Sequence, residues 1–236
     1  PLIGMSQDGL AAFEPAFADE LAVIMKWAFD YMQKDGEGDP DERTWLRDET
    51  GGSVYLRLTT NPIEQPGTRA NEDFRQGAID GAYWLRKPGP NCEVVIAYQG
   101  AVAPEAIKAA GHIADTRRDV GVLAVTSADR LNAGWTAAQR ARSRGNARAR
   151  SHIETLTAAL PRHCKIVTVI DGHPATLGWL GSVQGHQSIP LGVEHFGQTG
   201  TIGDLYSHFG INAQSIVQAA IGLTDGNRGM QRLITG

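Results

Sequence analysis

Between Lys165 and Ala220 the apolar positions switch period several times, and the rest of the chain is organised around that stretch. The run from Lys165 to Ile170 is almost continuously apolar and predicts a buried strand over 166–170. Asp171-Gly172-His173-Pro174 reads as a turn, and a helical pattern follows over 175–183. A second strand is expected over 189–193, then helices starting near Thr201 and Ala213. Strand, helix and strand in this order make half of an α/β sandwich.

The other half lies upstream. Asp119 to Thr126 is apolar on both alternating sets of positions, as in a strand covered on both faces. Ala82 to Arg86 and Glu93 to Tyr98 read as strands joined by the Pro88-Gly89-Pro90-Asn91 turn, which predicts an antiparallel edge pair or neighbour. Pro104 opens a helix to Ala114, with Ile107, Ala110, Gly111 and Ala114 on its buried face. A loop or short helix is expected over 127–135 and a helix over 151–160. The fold class is α/β: a three-layer α/β/α sandwich over 81–236, with a mostly parallel sheet and an antiparallel edge strand.

Ahead of this domain, apolar positions at Phe17, Leu21, Ile24, Met25, Ala28, Phe29 and Met32 predict a helix over 15–32 with Pro15 in its first turn and a wide buried face. From Asp35 to Thr50 seven carboxylates face two arginines, a solvated loop pinned by Trp45 and Leu46. Val54, Leu56 and Leu58 alternate with polar residues in a half-buried strand over 53–59. Asn61-Pro62 and Gln65-Pro66-Gly67 open a polar linker over 63–80. One helix and one strand cannot enclose a core, so residues 1–62 read as the tail of a further domain. With Pro1 at the start, the chain reads as a fragment of a longer protein.

Composition narrows the function classes. With 42% hydrophobic and 20% charged residues in 236, the chain is an ordinary globular sequence. A formal charge of −4 argues against nucleic-acid binding by bulk electrostatics. No run reaches the ~18 apolar residues of a membrane span, and a cytoplasmic protein is expected. Cys92 and Cys164, far apart in sequence, read as reduced, half-buried thiols.

Candidate chemistry is sparse. Gly197-Gln-Thr-Gly-Thr-Ile-Gly203 precedes a helix but matches neither the dinucleotide fingerprint nor the P-loop; it reads as a turn, with Thr199 or Thr201 as helix cap and Asp204 at the positive end. His173, His186, His195 and His208 fit no zinc spacing. Ser182, Asp171 and His186 lack the Gly-x-Ser-x-Gly elbow of a hydrolase triad. Arg140, Arg142, Arg144, Arg148 and Arg150 form a basic run without an intervening carboxylate, a solvated face or, more sharply, a docking patch for an acidic partner.

Residues 79–220 resemble the C-terminal domain of the transketolase superfamily of thiamine diphosphate enzymes. Ile96-Ala-Tyr-Gln-Gly-Ala-Val102, Val122-Leu-Ala-Val-Thr-Ser-Ala-Asp-Arg-Leu131 and Gly192-Val-Glu-His-Phe-Gly-Gln-Thr-Gly200 are most similar to the homodimeric pyruvate dehydrogenase, the first component of the 2-oxo acid dehydrogenase complex. Phe13 to Met25 is similar to the last helix region of that family's pyrimidine-binding domain. The resemblance implies an oxidoreductase parent that binds thiamine diphosphate and magnesium between the subunits of a homodimer, decarboxylates a 2-oxo acid and meets an acyltransferase component. It places the cofactor's Gly-Asp-Gly motif, the activating glutamate and the histidine-rich loop outside this chain; Ile170-Asp171-Gly172 lacks the leading glycine. No catalytic, cofactor-binding or metal residue is therefore expected here, and the fragment alone is expected to be structural. Thr59, Thr60 and Asn61 would contribute a substrate-facing wall. The alternatives are a transketolase or 1-deoxyxylulose-5-phosphate synthase, and a stand-alone α/β interaction module.

Overall fold

The computed structural model describes residues 7, 9–36, 48–69, 71–116, 118–195 and 197–224. In chain order the elements are β1 (Leu10–Phe13), α1 (Ala18–Met32), β2 (Ser53–Leu56), α2 (Glu72–Asp80), β3 (Ala82–Arg86), β4 (Val94–Gln99), α3 (Ala103–Asp115), β5 (Val120–Val125), α4 (Ala128–Ser143), α5 (His152–Thr157), β6 (Lys165–Ile170), α6 (Ala175–Gly178), β7 (Ser188–Leu191), α7 (Ile202–His208) and α8 (Ala213–Leu223). β1 and β2 form a two-stranded sheet; the other five strands form a second sheet in the order β3-β5-β4-β6-β7.

The five-stranded sheet is mostly parallel. β6 and β7 run parallel, with Ile166 opposite Ser188 and Val169 opposite Leu191. The Lys165 amide donates to Glu93 O (2.9 Å) and the Glu93 amide to Asp119 O (3.2 Å), so β6, β4 and β5 start at one level. β3 runs the other way: its start meets the end of β5 through Thr126 N to Gly81 O (2.9 Å), and the turn after it meets the start of β5 through Gly89 N to Asp119 Oδ1 (2.9 Å). β3 is thus the expected antiparallel edge, but β5 rather than β4 is its neighbour. The proline turn suggested a local hairpin. β5, buried at every position, is paired along both edges instead, and the seven residues from Lys87 to Glu93 are long enough to step across it.

The chain divides into two compact units, one of residues 1–83, 99–101 and 124–158, the other of 84–98, 102–123 and 159–236. In the first, β1 and β2 pair in parallel, Leu10 opposite Ser53 and Phe13 opposite Leu56. β1 escapes the sequence pattern because four residues hold barely one alternation. Ala11 and Phe13 pack with Ile24 and Tyr31 of α1, and Trp27, Val54 and Leu56 close the cluster. α1 starts at Ala18, not Pro15, because the Glu20 carboxylate turns back to cap the Ala16 and Phe17 amides. Its buried stripe is Glu20, Ile24, Ala28 and Tyr31; Phe29 and Met32, expected inside, are 53% and 46% exposed, and so is Leu58 beyond the end of β2. Trp45 and Leu46 lie outside the described residues.

The stretch expected to be a linker is structured. Gln65 accepts from the Ala18 amide (2.9 Å), Asn71 caps α2 through Phe74 N (2.8 Å), and α2 fills its second half. α4 runs for 16 residues where a loop or short helix was expected, because Ser127 caps it and its alanines sustain it past Gly134. The arginine run enters the last turn of α4, where Arg142 binds Glu154 (2.7 Å) and Ala149 O (2.7 Å). Burial pushes the Glu154 carboxyl up, but Arg142 and Ser151 outweigh it and hold it below the ordinary range.

In the second unit, α3 packs on α8, and the Ala213 amide donates to Glu105 Oε2 (2.7 Å). The buried face of α3 is Ala103, Ala106, Ala109, Ala110 and Ile113, rotated from the predicted one, so that Ile107 is 39% exposed. The small alanine side chains permit the close approach of α8. Ala175 to Ser182 is helical as expected, in an α then a 3-10 segment.

Gly81 ends α2 in a left-handed conformation at φ 108°, and a Cβ there would lie 2.6 Å from Ser127 O. Neither backbone can yield without breaking the Thr126 and Ser127 amide bonds to Gly81 O. Gly81→Ala is expected to cost about 3 kcal/mol; chemical denaturation of the two proteins checks it, and a loss under about 1 kcal/mol would show that the junction relaxes.

Candidate functional site

In α/β proteins chemistry gathers where the chain leaves the carboxyl ends of the strands. In the first unit the ends of β1, β2, β4 and β5 deliver Glu14, Arg57, Gln99 with Gly100, and Thr126 with Ser127. The Glu14 amide donates to Thr126 O (2.8 Å), and Ser127 Oγ donates to Ala12 O (2.6 Å). Arg57 Nη1 donates to Glu14 Oε2 at 2.9 Å. A Cβ on Gly100 would lie 3.2 Å from that same oxygen, and φ at Gly100 is 69°, so a glycine backbone is what lets the carboxylate sit there.

Asp129, in the first turn of α4, is 3% exposed, and its Oδ2 has no hydrogen-bond partner among the described residues. Burial and then the like charge of Glu14 push its carboxyl up to about 7, against a hydrogen bond from the Ala12 backbone. Gln99 Oε1 is likewise buried without a partner among those residues. Two nearby carboxyls, one fixed by a guanidinium and one able to hold a proton at neutral pH, are the pattern of a proton donor beside a charged partner. The sequence signals half of this: Ser127 followed by Asp129 after an apolar strand announces a helix start. The neighbourhood of Glu14 depends on β1, which the pattern does not reveal.

A second polar cluster fastens the start of α1. Arg69 holds Asp19 with Nε and Nη2 (both 2.7 Å) and lies over the rings of Phe17, Phe74 and Tyr83, 4.6 to 5.1 Å from their centroids. Tyr83 O–H donates to Glu20 Oε1 (2.6 Å). Burial pushes the Glu20 carboxyl up, opposed by Tyr83, two amides and the Arg69 charge. Nearby, Arg130 grips both Asp48 oxygens (3.0 and 3.1 Å), donates to Ile79 O and stacks 4.7 Å from the Trp27 ring. α1 and α2 also line a groove of about 430 Å³, apolar at Ala22, Val23, Trp27 and Ile79 and edged by both signs of charge at Lys26, Asp30, Glu72 and Arg75.

Thr59 and Thr60 are exposed and Asn61 is half-buried, on the loop just past Arg57; the Asn61 amide donates to Thr59 Oγ1 (3.1 Å). His173, His195 and His208 are exposed, whereas His186 is buried with Nδ1 on Cys164 O (3.0 Å), and burial lowers its pKa. Ser182 is exposed at the end of its 3-10 segment. Thr201 caps α7 as expected, accepting from Asp204 N. Cys92 and Cys164 are fully rather than half buried, with sulfurs 3.7 Å apart. Among the described residues no group of three His, Cys, Asp or Glu side chains is arranged to hold a metal ion, and no helix is long and apolar enough to cross a membrane.

The fold is an open, mostly parallel α/β sheet flanked by helices. Residues 81–212 match the transketolase-like C-terminal domain, and the chain belongs to that family. No curated protein gives a significant match. Among solved structures, it is similar to transketolase from Leishmania mexicana at 18% identity, TM-score 0.63, over 94% of this chain and 26% of that one. It is also similar to a split-gene transketolase in an inactive β4 tetramer at 16% identity, TM-score 0.62, over 94% of this chain and 60% of that one. A transketolase from Campylobacter jejuni is 15% identical, TM-score 0.56, over 94% of this chain and 27% of that one. The chain thus spans about a quarter of the length of two of these transketolases and three fifths of the third.

Proposed function

We propose that this chain is the C-terminal part of a thiamine diphosphate-dependent enzyme, and that the parent decarboxylates a 2-oxo acid in the manner of pyruvate dehydrogenase. The observation that carries the reading is the order of parts. A parallel strand pair with its helix, β1-α1-β2, precedes the family domain over 81–212. Within that domain, three strand-end segments resemble the homodimeric dehydrogenase at 96–102, 122–131 and 192–200. On this reading residues 1–62 end a pyrimidine-binding domain, 63–80 connect, and 81–236 form the C-terminal domain, which completes the subunit and a homodimer.

Among the described residues no three His, Cys, Asp or Glu side chains are grouped to hold a metal ion, and Asp171 stands without the rest of a diphosphate motif, so no step is routed through the cofactor. No catalytic step is assigned to this chain. Its own contribution is positional: the Glu14–Arg57 pair fixes the backbone at the end of β2, from which Thr59, Thr60 and Asn61 extend as a substrate-facing wall. A second reading, a transketolase parent acting on sugar phosphates, is favoured by the likeness to solved transketolases.

Assaying the full-length protein with pyruvate and an artificial electron acceptor, against ketose-phosphate donors with an aldose-phosphate acceptor, separates the two. Reduction of the acceptor dye with pyruvate is expected; turnover of the sugar phosphates alone would establish the second reading. Titration of this chain by itself with thiamine diphosphate and magnesium is expected to give no binding heat, and micromolar affinity would overturn the positional role.

A further inference from the structure

We propose that Cys92 and Cys164 form a redox-active dithiol that a peroxide converts to an intramolecular disulfide. The two residues are 72 positions apart, yet Cys164 immediately precedes β6 and only Glu93 separates Cys92 from the start of β4. Those strands are neighbours, and the Lys165 amide bond to Glu93 O sets the residues after the cysteines side by side. The sulfurs lie 3.7 Å apart, both side chains fully buried. Facing residues at the starts of adjacent strands have Cα separations of about 5 Å, within the range a disulfide spans. Closing the bond draws the sulfurs in to about 2.0 Å, a movement that side-chain rotation supplies.

The surroundings give the two sulfurs different roles. Cys164 donates its thiol hydrogen toward Cys92, and Cys92 donates toward Val94 O (3.2 Å). The shared hydrogen pulls the Cys92 thiol down and pushes the Cys164 thiol up, so the attacking thiolate forms at Cys92. Each cysteine sits one residue in from an exposed turn, after Asn91 in one case and after Arg162 and His163 in the other. Opening of either turn admits a small oxidant without unfolding the sheet.

The Cys92 thiolate attacks one peroxide oxygen; an S–O bond forms, the O–O bond breaks, and the departing hydroxide takes up the displaced thiol proton as water. The Cys164 sulfur then attacks the sulfenic sulfur of Cys92; the S–S bond forms, the S–O bond breaks, and hydroxide leaves with the Cys164 proton as a second water. Two thiols lose two electrons and one hydrogen peroxide becomes two waters. A low-molecular-weight dithiol reverses the change.

The test exposes the intact chain to hydrogen peroxide, quenches it in denaturant with N-ethylmaleimide and weighs it. The expected result is joint loss of both alkylation sites, a mass lower by two hydrogens, a proteolytic fragment linking Cys92 to Cys164, recovery with dithiothreitol and an upward shift in Tm of the oxidised form. Cys164→Ser is expected to leave Cys92 as a sulfenic acid that dimedone traps; should that variant fail to fold, the wild-type mass measurement decides. Both thiols still alkylated after peroxide has oxidised the exposed Met32 would overturn the proposal. Disulfides between chains, or one cysteine over-oxidised while the other stays free, would do the same.

Discussion

Glu20→Ala is expected to remove about 4 kcal/mol of stability. One carboxyl group accepts from the Ala16 amide (2.6 Å), the Phe17 amide (2.9 Å) and the Tyr83 hydroxyl (2.6 Å), at 1% exposure. Alanine removes the acceptor shared by the half-buried Ala16 amide, the buried Phe17 amide and the Tyr83 hydroxyl, and opens a void beside the Arg69 guanidinium. Each orphaned group costs about 1 to 3 kcal/mol, and partial rearrangement keeps the sum below the simple total. Tyr83→Phe removes the hydroxyl that donates to Glu20 Oε1 and accepts from Arg69 Nη1, and is expected to cost about 2 kcal/mol. Urea unfolding followed by tryptophan fluorescence and circular dichroism measures both; equal losses in the two variants would show that the amides find water instead.

Asp129→Asn is expected to abolish a pH dependence worth about 4 kcal/mol. The carboxyl is raised to about 7 in the folded chain from an ordinary 3.8, and every tenfold gain in proton affinity on folding is worth about 1.4 kcal/mol. Between these values the folded state holds a proton that the unfolded state has released, so stability falls as pH rises from about 4 to about 7 and is level above. The contribution is complete below the unfolded value and gone once the folded group ionises. Asparagine keeps the shape and carries no titrating proton. The variant is therefore expected to match the wild type near pH 4 and exceed it at pH 8, with Glu14 still paired to Arg57 in both. Melting temperatures across that range decide it; parallel curves for the two proteins would place the titration elsewhere.

Much of the architecture was legible in the chain. β5 and β6 are long, apolar and wholly or almost wholly buried, so their sequence has one stable outcome. The cap at Thr201 and the turn after β6 follow from local hydrogen bonding, which needs only near neighbours. The candidate site was much less legible. Glu14, Arg57, Gln99 and Asp129 come from four separate segments, and none stands in a spacing that announces a partner. Arg142 reads as one more charge in a basic run until Glu154, beyond that run, meets it. The same holds for Arg69, which sits in a polar stretch with every mark of a linker yet lies over three aromatic rings.

By itself, then, the sequence determined the class of fold, the buried strands and most helix starts, because hydrophobic period and capping act over a few residues. Only the tertiary structure decided which strands are neighbours, which face of α1 and α3 is buried, and which charges meet. It placed β5 between β3 and β4 and brought two distant cysteines to 3.7 Å. The physical reason is range: Glu14 raises the Asp129 carboxyl from 115 positions away and the two cysteines meet across 72, and a local pattern carries no record of such encounters.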